Sequence, residues 1–134
     1  MGELNINAQD TYNATPLHWA ALNRHEAIVS LLLKSAANVE VESRGGSTPL
    51  AWAIESGSKK SIRMLLVKAS KVDYEYETPL LRAVEKQDRI AVQLLLENGA
   101  VPTLVCQSIS PLAMARSLGD DSIVGLLKSY GAIR

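Results

Sequence analysis

Along the chain, a short stretch that opens on Thr-Pro-Leu and is rich in alanine is followed by a longer stretch that closes on leucines, and the alternation occurs four times. The openings are Thr15-Pro16-Leu17, Thr48-Pro49-Leu50, Thr78-Pro79-Leu80 and Ser110-Pro111-Leu112, with the prolines 33, 30 and 32 residues apart. Small residues come next: Ala20 and Ala21, Ala53, Ala83, then Ala113 and Ala115. Fifteen residues after each proline begins an apolar cluster, Leu31-Leu32-Leu33, Met64-Leu65-Leu66, Leu94-Leu95-Leu96 and Leu126-Leu127. Each unit therefore reads as helix, turn, helix.

Local chemistry explains the starts. The Thr or Ser hydroxyl can cap a helix, and Pro at the next position gives up an amide that has no intrahelical partner there. Alanines on the first helix allow close approach of neighbouring helices, and the leucines of the second fill the space between successive units. No unit can bury its apolar face alone, so stacking is required, with stability a sum of nearest-neighbour interfaces. Composition agrees with an all-α fold. Aliphatic side chains dominate the 47% hydrophobic fraction, Phe is absent, and two Trp and four Tyr supply the aromatic bulk. A length of 134 residues predicts one domain, residues 1–134.

With its period and the run Thr15-Pro16-Leu17-His18-Trp19-Ala20, the chain resembles the ankyrin repeat family, whose signature is Thr-Pro-Leu-His-x-Ala. The resemblance implies an ankyrin-repeat solenoid of four stacked helix-turn-helix units with short finger loops. The repeats would span residues 10–42, 43–73, 74–104 and 105–134, with 1–9 the tail of a preceding repeat. It also implies fingers projecting beside a concave helical face, surfaces with which the family binds proteins. His18 would brace adjacent loops through hydrogen bonds. Lys128 stands where earlier repeats carry Leu33, Leu66 and Leu96, as expected of a terminal cap.

Two departures from the family pattern matter. The second helix there usually ends in Gly-Ala, with Gly in the left-handed conformation; Gly99-Ala100 and Gly131-Ala132 comply, whereas Ala36 and Ala69 replace the glycine. Both alanines are expected to be strained, and Ala36→Gly and Ala69→Gly to raise the melting temperature. The finger entering the third repeat is short, leaving Asp73-Tyr74-Glu75-Tyr76-Glu77, where either tyrosine faces solvent as a contact or folds back over its neighbours.

The residues expected to meet a partner are Tyr12, Asn13 and Arg44 of the first two fingers, together with Asp10 and Thr11. Beside them stand Trp52 and Glu55 of a first helix, Tyr74 and Tyr76 of the short finger, and Arg82, Glu85 and Lys86 further on. Trp19 and Trp52 share a repeat position and should lie one above the other, as a ledge for a ligand or as plain packing; Arg82 and Met114 follow at that position.

Other functions find little support. Fourteen basic and fourteen acidic residues cancel, so nothing draws the chain to nucleic acid or anionic lipid. One cysteine, Cys106, permits no intrachain disulfide and fits a reducing, cytoplasmic or nuclear, compartment. The longest apolar-rich run, Ala27 to Leu33, is too short to span a bilayer, and Met1-Gly2 lacks the Ser or Thr that myristoylation needs at Ile6. His18 and His25 show no metal-ligand spacing, and Cys106 lies some two repeats from His25, too far for a nucleophile and its base. Gly45-Gly46 is turn chemistry rather than a phosphate loop, and in the sequon Asn13-Ala14-Thr15 the threonine is committed to capping. The expected function is a non-catalytic scaffold for a protein partner, without cofactor, metal or small-molecule substrate. The alternative is a regulatory segment of a larger enzyme or channel, suggested by Asn5-Ile6-Asn7-Ala8-Gln9-Asp10, which looks like the close of an earlier repeat.

Overall fold

A computed structural model describes residues 5–69, 79–105 and 108–132. The Tyr74 and Tyr76 finger, the Thr78 cap and Cys106 lie outside the described residues. Eight helices occur among those described: α1 (Pro16–Leu22), α2 (Glu26–Lys34), α3 (Pro49–Ser56), α4 (Lys59–Lys68), α5 (Pro79–Glu85), α6 (Arg89–Glu97), α7 (Pro111–Ser117) and α8 (Asp121–Ser129). Each expected helix pair is present, and the fold is all-α.

The chain divides into two compact units, Met1–Ser70 and Lys71–Arg134. In the first, α1 packs on α2, α3 on α4, and the two pairs meet through α1 against α3 and α2 against α4. The second unit repeats the scheme with α5 on α6, α7 on α8, α5 against α7 and α6 against α8. Leu17, Ala21, Ala53, Ile54, Ile62 and Leu65 fill the first core, and Leu80, Ala83, Leu95, Leu112, Ala115 and Leu127 the second. Each large aliphatic chain buried there contributes about 1.5–3 kcal/mol.

Not every small or aliphatic residue of the pattern is used in this way. Ala113 is exposed, and Ala115, two residues on, faces the core in its place. Leu31 is 63% exposed, because α2 offers its neighbours Val29 and Leu33, and Leu31 falls on the other side of the helix.

Caps follow the sequence closely, with two exceptions. Thr15 and Ser110 accept hydrogen bonds from the amides of His18 and Ala113, and Ser58, Asp88 and Asp120 cap the second helices through the amides of Ser61, Ala91 and Ile123. At the head of α2, His25 makes no such bond. Thr48 makes none at the head of α3, and its buried hydroxyl has no hydrogen-bond partner.

Helix ends separate the two alanines. Ala36 adopts φ +65°, the left-handed conformation that Gly99 and Gly131 adopt in the equivalent places. Ala69 does not: its φ is −71° and ψ 137°, ordinary extended backbone. The expectation of strain at Ala69 is thus corrected. With ten residues, α4 is one longer than α2, α6 or α8, and Ala69, directly after it, is already extended.

Candidate functional site

The first finger is shaped by Asp10. Its Oδ1 accepts hydrogen bonds from the amides of Tyr12 at 2.9 Å and Ala14 at 3.0 Å, while Asn13 turns the chain at φ +58°. The second finger closes the same way, with the Ser43 amide bonded to Ser47 O at 2.8 Å as the Asp10 amide is to Ala14 O at 3.0 Å. The Arg44 amide bonds Tyr12 O at 2.9 Å and ties one finger to the next.

Beneath the fingers lies an aromatic strip. Asp10 Oδ2 accepts from Trp19 Nε1 at 2.7 Å, fixing the indole of α1 under the first finger. Tyr12 meets Trp19 edge-on, with ring centroids 6.0 Å apart, and Trp19 meets Trp52 of α3 edge-on at 5.0 Å. Such pairs contribute about 0.5–1.5 kcal/mol each beyond their buried area. The expected superposition of Trp19 and Trp52 is therefore observed, and the rings pack on each other while keeping an open side. Tyr12, at 59% exposed, is the most accessible of them, and Trp52 is half-buried.

His18 supports the strip from below. Its Nε2 lies 2.9 Å from Ser47 O, a pure acceptor, so Nε2 carries the proton and donates. Nδ1 is then free to accept from the Thr15 amide at 3.0 Å and from the Thr15 hydroxyl at 2.9 Å. Its ring also meets Trp52 edge-on at 5.0 Å. Burial pushes the His18 pKa down, against the opposing pull of its bond to Ser47 and the charge of Asp10. With both ring nitrogens engaged, His18 is a brace between fingers, as the family resemblance implies, and has no lone pair left for a metal or a substrate. Partial desolvation tends to raise the Asp10 carboxyl, but the bonds from Trp19, Ala14 and Tyr12 outweigh it and leave the carboxyl below its ordinary range.

Tyr12, Asn13, Arg44 and Trp52 are thus brought together in the first unit, with the exposed Glu55 one turn beyond Trp52 on α3. In the second unit, Arg82 and Glu85 form an ion pair on α5, and Lys86 follows, exposed, just past the helix. Asp10 was expected to offer itself to a partner along with Tyr12, whereas both of its oxygens serve the finger's own architecture. Sequence reasoning overlooked that bracing role. The signal was a carboxylate at the start of a tight turn, where Asp characteristically bonds the amides that follow it.

Paired helices repeated along the chain, with braced finger loops between them, define a helical-repeat protein. A family model for "Ankyrin repeats (3 copies)" matches residues 2–76, more than half of the chain. The protein belongs to the ankyrin repeat family, whose members are in general non-enzymatic modules that bind other proteins. Among the described residues, no helix is long and apolar enough to cross a membrane.

Proposed function

We propose that this chain is a non-catalytic scaffold that holds a protein partner along its finger loops and the adjoining face of the first helices. The aromatic strip carries this reading. Tyr12, Trp19 and Trp52 are fixed in place by Asp10 and His18, so a partner gains apolar contact without first ordering flexible side chains. Tyr and Trp in such settings dominate interface energetics, and Arg44, exposed on the second finger and tied to Tyr12 through its amide, adds a candidate cation. Glu55, Arg82, Glu85 and Lys86 supply charge for orientation, and Tyr74 and Tyr76 are the remaining candidates for contact.

Affinity capture with the parent chain beside Tyr12→Ala and Arg44→Ala variants tests this. Tyr12 is a surface side chain whose main intramolecular contact is its edge pair with Trp19, so its removal should lower the melting temperature by only a few degrees while lowering recovery of the bound protein about tenfold. Equal recovery by all three chains would remove the fingers from recognition.

A further inference from the structure

Helices α2 and α4 of the first unit leave a groove that the finger surface does not use. It is lined by Ser30, Leu33 and Lys34 of α2 and by Met64, Val67 and Lys68 of α4, with a volume of about 220 Å³. The spacing i, i+3, i+4 in both helices makes the lining one stripe from each. That volume is below the roughly 300–1,000 Å³ of small-molecule sites, and suits one or two inserted side chains. Aliphatic exposure on the same helices is high: Val67 is 80% exposed, and Leu31 and Ile28 are exposed as well.

Charge singles this face out further. Lys34, Lys60, Arg63 and Lys68 are all exposed on α2 and α4, and none has an ion-pair or hydrogen-bond partner among the described residues. The only acidic side chain on these two helices, Glu26, accepts a hydrogen bond from the Ser58 hydroxyl at 2.6 Å. In a chain whose total charge is zero, these two helices therefore carry five basic side chains against one acid. Lys34 and Lys68 close their helices, where the helix dipole favours cations. The dipole does not account for Lys60 in the first turn of α4, where it opposes a positive side chain, or for Arg63 near the helix's middle.

We propose that this groove takes an acidic segment of a partner protein, with one or two apolar side chains set over Leu33 and Met64 and carboxylates set against Lys34, Lys68 and Arg63. The inference is independent of the finger surface. An anionic bilayer would meet the same charges, but a flat surface leaves a groove floor uncovered. Neither helix carries a Trp or Tyr of the kind that sits at a membrane interface.

A random peptide library displayed on phage, panned on the intact chain, provides the test. The enriched peptides should carry Asp or Glu around a bulky apolar residue. Their affinity should fall at least about tenfold on Lys34→Glu/Lys68→Glu, fall less on Lys34→Ala/Lys68→Ala, and stay unchanged on Tyr12→Ala. The same peptides with Lys in place of their acids should bind the charge-reversed chain better than the parent. Failure to enrich any peptide overturns the proposal, as does enrichment of peptides that bind parent and both lysine variants alike. Flotation with phosphatidylcholine vesicles, with and without phosphatidylserine, provides the other arm. Retention on the anionic vesicles that is lost in the lysine variants, without an acidic peptide class, would assign the face to a membrane and overturn the proposal too.

Discussion

Replacing Ala36 and Ala69 separately by glycine should move stability in opposite directions, although the two alanines occupy the same position in successive repeats. Ala36 stands at φ +65°, where a Cβ is crowded by the neighbouring carbonyl at a cost of about 1–2 kcal/mol. Glycine removes that cost, and because Ala36 is exposed, no burial is lost with the methyl group. Against this, glycine gives the unfolded chain more freedom, which takes back about 0.4–1 kcal/mol. The net gain is about 0.5–1 kcal/mol, and at roughly 4 °C per kcal/mol the melting temperature should rise by about 2–4 °C. Ala69, at φ −71° and ψ 137°, has no strain to relieve, so Ala69→Gly incurs only the entropy term and should melt about 2–4 °C lower. Far-ultraviolet circular dichroism on heating, checked by urea unfolding with unchanged slope, measures both. A gain in both variants, or a loss in both, would refute the account of how these two helices end.

Two further outcomes follow from the buried polar groups. Thr48→Val removes a buried hydroxyl that has no partner and caps nothing, so stability should hold or rise by up to about 1 kcal/mol, whereas Thr15→Val deletes a cap and the partner of His18 and should cost about 1–2 kcal/mol in urea unfolding. The pKa of His18 is lower in the folded chain than its ordinary value near 6.5, so the unfolded state binds the proton more readily; its contribution is fully present above pH 6.5 and is lost as pH falls toward the folded value. Melting temperature should therefore fall, as pH drops below about 6.5, more steeply in the parent than in His18→Gln, and identical slopes would show that His18 is not the titrating group.

The electrostatic character of the molecule depends on scale. Summed over the chain, charge vanishes, so no net charge draws a partner from a distance. Resolved by helix, however, α4 carries Lys59, Lys60, Arg63 and Lys68 with no acid, while α5 pairs Arg82 with Glu85. A zero total therefore conceals faces that can steer and select a protein partner.

Much of this protein could be read directly from the chain. Thr-Pro-Leu at a near-constant period fixes where first helices begin, because capping and proline geometry are local, and the leucine clusters mark the second helices, because only an apolar stripe can be buried by a stacked neighbour. His18 as a brace and Trp19 beside Trp52 were legible for the same reason, since each occupies a set place in a repeating unit. Other features depended on contacts between parts of the chain that the period does not encode. Whether Ala36 or Ala69 turns left-handed goes with where each helix stops, α2 at Lys34, two residues before Ala36, and α4 at Lys68, immediately before Ala69. Asp10, though exposed, is held by the Trp19 indole 2.7 Å from its Oδ2, and Thr48, alike in sequence to Thr15, is left without a hydrogen-bond partner. Leu31 and Val67 belong to the apolar pattern and yet face solvent, since burial is settled by which side of a helix its neighbours cover. Local rules thus determined the elements and their order, and only packing determined which of their side chains remained available to another molecule.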